Sequence, residues 1–212
     1  MAVRRRVDVL CVQKIKWKGQ KAKEVDDTGF KLWYTGTTSN KNGVGILVNK
    51  SLRDGDVDIK RQGDRMILVK LVVGDLVLNV ISVYVPQVGH NESTKREFWE
   101  GLEDLVMRVP IGDKLFIGGD LNGHVGTSNT GFERVHGGFG YGIRNQEGED
   151  VMSFALAYDM ESDVKEALRR MKGGKAMGPD GIPIEAWRRL GDIAILWPTN
   201  LFNLIFGSNK MP

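Results

Sequence analysis

One cysteine, three histidines and no long apolar run set the first limits on this chain of 212 residues. Cys11 has no second cysteine to pair with, which excludes an intramolecular disulfide and any cysteine-based zinc site and suits a reducing compartment. No hydrophobic stretch approaches the roughly 20 residues needed to cross a bilayer. The Arg-rich start carries no signal-like core. The reading is therefore of a nuclear or cytoplasmic protein with no membrane partner. Neither sign of charge dominates: the net charge is +3, with 27% charged and 41% hydrophobic residues, as in ordinary globular chains. The length allows one good-sized core, or a core with an appendage.

Charge is unevenly placed, however. Between Met1 and Lys23 three arginines (Arg4 to Arg6) and five lysines, from Lys14 to Lys23, face a single acid, Asp8. Such a run attracts a polyanion such as nucleic acid, DNA or RNA, and equally serves as a plain solvated face. Cys11 itself lies in Val9-Leu-Cys-Val12 and reads as a small buried hydrophobe.

Strand patterns dominate the first two thirds. Val7 to Val12 is nearly continuous in apolar residues, the mark of a strand covered on both faces. Phe30 to Tyr34 and Val44 to Val48 follow, separated by a polar loop. Met66 to Val73 and Leu76 to Val85 flank Gly74-Asp75, a favoured two-residue hairpin turn, and Pro86 closes the second strand. Phe98, Leu102, Leu105 and Val109 recur at helical spacing over Ser93 to Val109, with Asn91 or Ser93 as cap. A second helix is expected over Asp150 to Tyr158. Alternating strands and helices of this kind predict an α/β layered sandwich.

The stretch Lys114-Leu-Phe-Ile-Gly-Gly-Asp-Leu-Asn-Gly-His124 reads as a short buried strand, Lys114 to Ile117, running into a small turn. Asp120 and Asn122, at i and i+2, face the same side if the backbone stays extended. A carboxylate beside an amide can orient a water and grip a phosphate oxygen or a cation. Taken alone, the turn is also an ordinary Asx-turn whose side chains bond nearby backbone. Lys14, Tyr84 and Asp120 each fall at the C-terminal end of an apolar strand, where site residues of layered α/β proteins gather and where polar residues begin in any case.

Three blocks carry a resemblance. Cys11-Val-Gln-Lys-Ile-Lys-Trp-Lys-Gly19, Val83-Tyr-Val-Pro-Gln87 and Ile117-Gly-Gly-Asp-Leu-Asn-Gly-His-Val-Gly126 resemble the endonuclease/exonuclease/phosphatase superfamily. Within it they are most similar to the endonuclease of LINE-type non-LTR retrotransposons, including copies labelled craniofacial development protein-like. The resemblance runs from about Arg4 to Met160. It implies a two-sheet α/β sandwich, here partial, and Mg²⁺-dependent hydrolysis of DNA phosphodiesters. It also implies roles: Asp120 orients or deprotonates the attacking water, Asn122 contacts the scissile phosphate and Tyr84 hydrogen-bonds a phosphate oxygen. The chain departs from the family where a metal-binding glutamate follows the first block's glutamine, because Lys14 stands there. The element that supplies the family's catalytic histidine has no counterpart, and His90, His124 and His136 read as surface residues, with an approach of His124 to the site as the alternative for that residue.

Beyond Met160 the character changes. Ser162 caps an expected helix through Met171, and Lys172-Gly-Gly-Lys-Ala-Met-Gly-Pro-Asp-Gly-Ile-Pro183 forms a basic, glycine-rich turn before further helices. This block resembles the opening of a non-LTR reverse transcriptase, without the polymerase's aspartates. The expected organisation is an endonuclease-like domain over 1–160 and a short helical appendage over 161–212, joined by an internal deletion or by splicing over degraded sequence. The functional reading is a degenerate, inactive endonuclease-like protein with no small-molecule cofactor. The alternative is a non-catalytic nucleic-acid-binding relic.

Overall fold

The computed structural model describes residues 8–25, 28–52, 57–138 and 142–160. The chain divides between Asp120 and Leu121 into two compact units. The first holds eight strands: β1 (Val9–Gln13), β2 (Gly19–Val25), β3 (Phe30–Gly36), β4 (Val44–Asn49), β5 (Val57–Gln62), β6 (Met66–Val73), β7 (Leu76–Tyr84) and β8 (Lys114–Asp120). Helix α1 (Glu92–Met107) connects β7 to β8. The strands form two four-stranded sheets, ordered β1-β4-β3-β2 and β5-β6-β7-β8. All pairings are antiparallel except β7 with β8, where the α1 crossover makes them parallel.

The two-sheet α/β expectation is met. Val9, Cys11, Trp33, Val44, Ile46 and Val48 from the first sheet pack on Ile67, Val69, Leu71, Leu78, Val80 and Tyr84 from the second. These residues alternate along their strands, as one inward face of each sheet requires. β7 is buried on both faces from Leu78 to Tyr84, hence its largely apolar pattern, interrupted only by the hydrogen-bonded Asn79 and Ser82. On the outer face of the second sheet α1 approaches closely at Gly101, where a Cβ would meet Gln62 and Met66. Asn91 caps the helix by accepting from the Thr94 amide, and Phe98, Leu102, Leu105 and Val106 form its buried stripe. Val109 lies past its end.

Two strands escaped the sequence reading. β2 is mostly polar and exposed along its middle, and β5 alternates with only two apolar residues; both are recruited by register with apolar neighbours. β8 also runs on through Gly118-Gly119 to Asp120 instead of turning after Ile117.

The second unit, described over residues 121–138 and 142–160, is built on α2 (Gln146–Ala157). It begins four residues before the expected start because Asn145 caps it, accepting from the amides of Gly148 and His124. Val125, Phe132, Val135, Val151 and Met152 are buried in this unit. His136 joins them at 1% exposure with Nε2 2.9 Å from the Gly126 carbonyl oxygen, which corrects its reading as a surface residue. His90 and His124 are exposed as expected. The helices expected beyond Met160 lie outside the described residues.

Burial pushes the Cys11 thiol up to about 12, against the opposing pull of a hydrogen bond with Ser82. Folded protein at pH 8 will therefore resist iodoacetamide, while protein unfolded in guanidinium will be labelled promptly; prompt labelling of the folded chain would contradict this packing. Because the folded value is the higher one, the thiol's contribution to stability is full below the usual value of 9.0 and declines as pH rises toward about 12.

Candidate functional site

Three strand ends meet at one end of the sandwich. Gln13 closes β1, Tyr84 closes β7 and Asp120 closes β8, with Tyr84 and Asp120 opposite each other in the parallel register. Their side chains share the inner face of the second sheet with Ser82 and Gly118. The first sheet meets that face directly. Gln13 Nε2 donates to Ser82 Oγ at 3.2 Å, and a Cβ on Gly118 would lie 3.3 Å from Cys11 Sγ. Beside it, Gly119 leaves no room for any side chain: a Cβ there would sit 1.9 Å from the Val83 carbonyl oxygen. The glycine pair thus lets β8 lie close against both β7 and β1 and carry Asp120 into the gap.

Lys14 completes the cluster. Its backbone turns left-handed, φ 57°, just past the end of β1, and its Nζ lies 3.0 Å from Asp120 Oδ2. The same ammonium is 5.2 Å from the centroid of the Tyr84 ring, and the Arg65 guanidinium is 5.0 Å from it. Arg65 is fixed by backbone as well: its carbonyl accepts from the Tyr84 amide at 2.9 Å, and its Nη1 donates to the Tyr84 carbonyl at 3.2 Å. Two cations therefore flank one buried phenol, with one carboxylate against the first of them. The hydrogen bond to Asp120 holds the Lys14 ammonium above the usual lysine range; burial opposes this, and the charges of Asp120 and Tyr84 add to the rise.

The fold thus brings Lys14, Tyr84 and Asp120 together, a grouping that their strand-end positions had left open. Asn122 is different. Its backbone is left-handed at φ 49°, where the i, i+2 reading assumed an extended chain, and it belongs to the second unit. Arg65 and the Gln13–Ser82 bond were missed. The Gly74-Asp75 turn held the signal for Arg65. A two-residue loop pairs Val73 with Leu76, and counting outward along that register sets Arg65 opposite Tyr84.

These residues do not suit a divalent metal. An ammonium has no lone pair to donate and repels a second cation at coordination distance. Here it already compensates the carboxylate a metal would use. Among the described residues no group of three or more His, Cys, Asp or Glu could hold a metal ion. What the cluster offers instead is donors: two cationic side chains at the mouth of three strand ends, suited to an anionic oxygen.

The chain is similar to craniofacial development protein 2 of Bos taurus, with 34% identity over 149 residues, 70% of this chain but only 24% of that protein, so it spans about a quarter of that relative's length. No protein-family model matches it. Among solved structures it is similar to the endonuclease domain of TRAS1, a telomere-specific non-LTR retrotransposon, with a TM-score of 0.45 and 15% identity over 74% of this chain and 61% of that one. It is similar also to an AP endonuclease from Archaeoglobus fulgidus, with a TM-score of 0.45 and 19% identity over 71% and 60% of the two chains. No helix among the described residues is long and apolar enough to cross a membrane.

The ion pair is half-exposed on the lysine side, so Lys14→Met should cost no more than about 1 kcal/mol. The sign with pH is definite. The lysine's folded value is raised, so its contribution is full below the ordinary lysine range and lost as pH rises through the folded value. Urea unfolding of wild type and Lys14→Met should give midpoints that differ at pH 7 and converge at strongly alkaline pH. A gap that widens with pH would contradict the pairing.

Proposed function

We propose that this chain carries an endonuclease-like domain of the endonuclease/exonuclease/phosphatase type whose Mg²⁺-dependent cleavage of DNA has been lost. The observation that carries the reading is Lys14 Nζ at 3.0 Å from Asp120 Oδ2. It fills the place of a metal with a fixed ammonium, which neutralises the carboxylate but supplies no coordinated water. Tyr84 and Asp120 are the surviving site residues, with Asn122 as a third from the family pattern. Support comes from their convergence at the strand ends and from the similarity to craniofacial development protein 2. A LINE-type retrotransposon is the proposed origin, with residues 161–212, outside the described residues, as the start of its reverse transcriptase.

Nucleic-acid binding without catalysis is the second reading, favoured by the exposed lysines Lys16, Lys18, Lys21 and Lys23 on the first sheet and its connector.

Nicking of supercoiled plasmid separates catalysis from its loss. With and without Mg²⁺, wild type and an identically prepared Asp120→Ala variant should be indistinguishable from each other and from buffer. Nicking that needs Mg²⁺ and vanishes in Asp120→Ala would overturn the reading.

A further inference from the structure

The connector from β1 to β2 lies flat on the outer face of the first sheet, the face turned away from the core. Ile15 takes the space a Cβ on Gly45 would need, its Cδ1 2.8 Å from that position, and the Trp17 carbonyl oxygen would be 2.0 Å from a Cβ on Gly36. Backbone bonds pin it: Ile15 N to Gly43 O at 3.1 Å, Lys16 N to Asn42 O at 3.0 Å, and Asn40 N to Lys16 O at 3.0 Å. Lys16 pays for this path with a left-handed backbone at φ 63°. A strained, over-determined segment on a surface calls for an account of what it presents.

It presents Trp17. The indole is 45% exposed yet held in place, edge-to-face on Tyr34 at 5.4 Å between centroids. Lys23 Nζ lies 5.8 Å from its centroid. In the β2–β3 register Lys21 stands opposite Tyr34 and Lys23 opposite Leu32, so both lysines share the outer face with Trp17. Lys16 and Lys18 are exposed on either side of the ring in sequence. The acid of β2, Glu24, points to the other face, 3.6 Å from Lys31. Among the described residues the patch is therefore one rigid aromatic surface set among exposed lysines.

We infer that this patch is a binding site for single-stranded nucleic acid, with an unpaired base stacked on Trp17 and neighbouring phosphates on Lys21 and Lys23. Stacking needs a base free of its duplex partner, and the lysines supply the backbone attraction that follows the strand. A peptide of acidic residues alone could meet the lysines but has no ring to lay on the indole. Duplex DNA likewise offers only its phosphates. The inference deepens the nucleic-acid-binding reading given above and is independent of the loss of hydrolysis, because the patch and Asp120 lie on opposite sides of the first sheet.

The test is fluorescence anisotropy of a labelled 15-nucleotide oligo(dT) with the full chain, in EDTA, from low to moderate salt. Trp17→Ala should weaken binding about tenfold, while Trp17→Phe, which keeps a stacking surface, retains most of it. The double variant Lys21→Gln/Lys23→Gln should reduce the slope of log affinity against log salt by about 1.4, two phosphate contacts' worth. Lys114→Gln, on the second sheet, serves as the unaffected control, and thermal melts verify that each variant is folded. Binding that ignores Trp17 but falls with salt would remove this site and leave the broader reading standing. Equal competition by duplex DNA or poly-glutamate would overturn the stacking role, and no binding at low salt would overturn both.

Discussion

The ammonium of Lys14 against the carboxylate of Asp120 ties the end of one sheet to the end of the other. Everything at that end of the sandwich is arranged around the approach it requires. β8 reaches β7 and β1 because Gly118 and Gly119 carry no side chains where Cys11 Sγ and the Val83 carbonyl stand. β1 delivers Lys14 through a left-handed turn instead of continuing its ladder. Tyr84, buried and flanked by Lys14 and Arg65, forms the floor. Exchanging a carboxylate for an ammonium at residue 14 would invert the electrostatics of this floor while leaving the fold that builds it unchanged.

The same short segment, residues 14–18, serves two faces. Lys14 turns inward to Asp120, and three residues later Trp17 rests on the outer side of the same sheet against Tyr34. Gly36 and Gly45 let the connector lie flat, and hydrogen bonds to Asn42 and Gly43 hold it there. A chain whose strand-end carboxylate is paired with an ammonium can still present a rigid surface to nucleic acid. Catalysis and binding need not be lost together, because they draw on opposite faces of one sheet.

Much of this was legible in the sequence. Val9 to Val12, Val44 to Val48 and the β6–β7 hairpin announce themselves by apolar runs bounded by turn residues, and these strands make the shared core. Lys14, Tyr84 and Asp120 could be placed at strand ends by eye. β2 could not, since Gly-Gln-Lys-Ala-Lys-Glu-Val has no strand pattern and pairs only because β3 offers an edge. His136 was unreadable for a related reason: burial in an irregular segment leaves no periodic trace. At Asn122 the backbone is left-handed where an extended one was assumed, and asparagine is one of the few residues besides glycine that take up that conformation readily.

The central claim is that the Lys14 ammonium keeps a divalent cation from Asp120. Calorimetric titration of Mn²⁺ into wild type and Lys14→Glu tests it most directly, since two adjacent carboxylates would offer oxygen ligands where one is now neutralised. The account predicts no saturable binding to wild type and a single-site isotherm for the variant. Saturable binding to wild type that disappears in Asp120→Ala would contradict it.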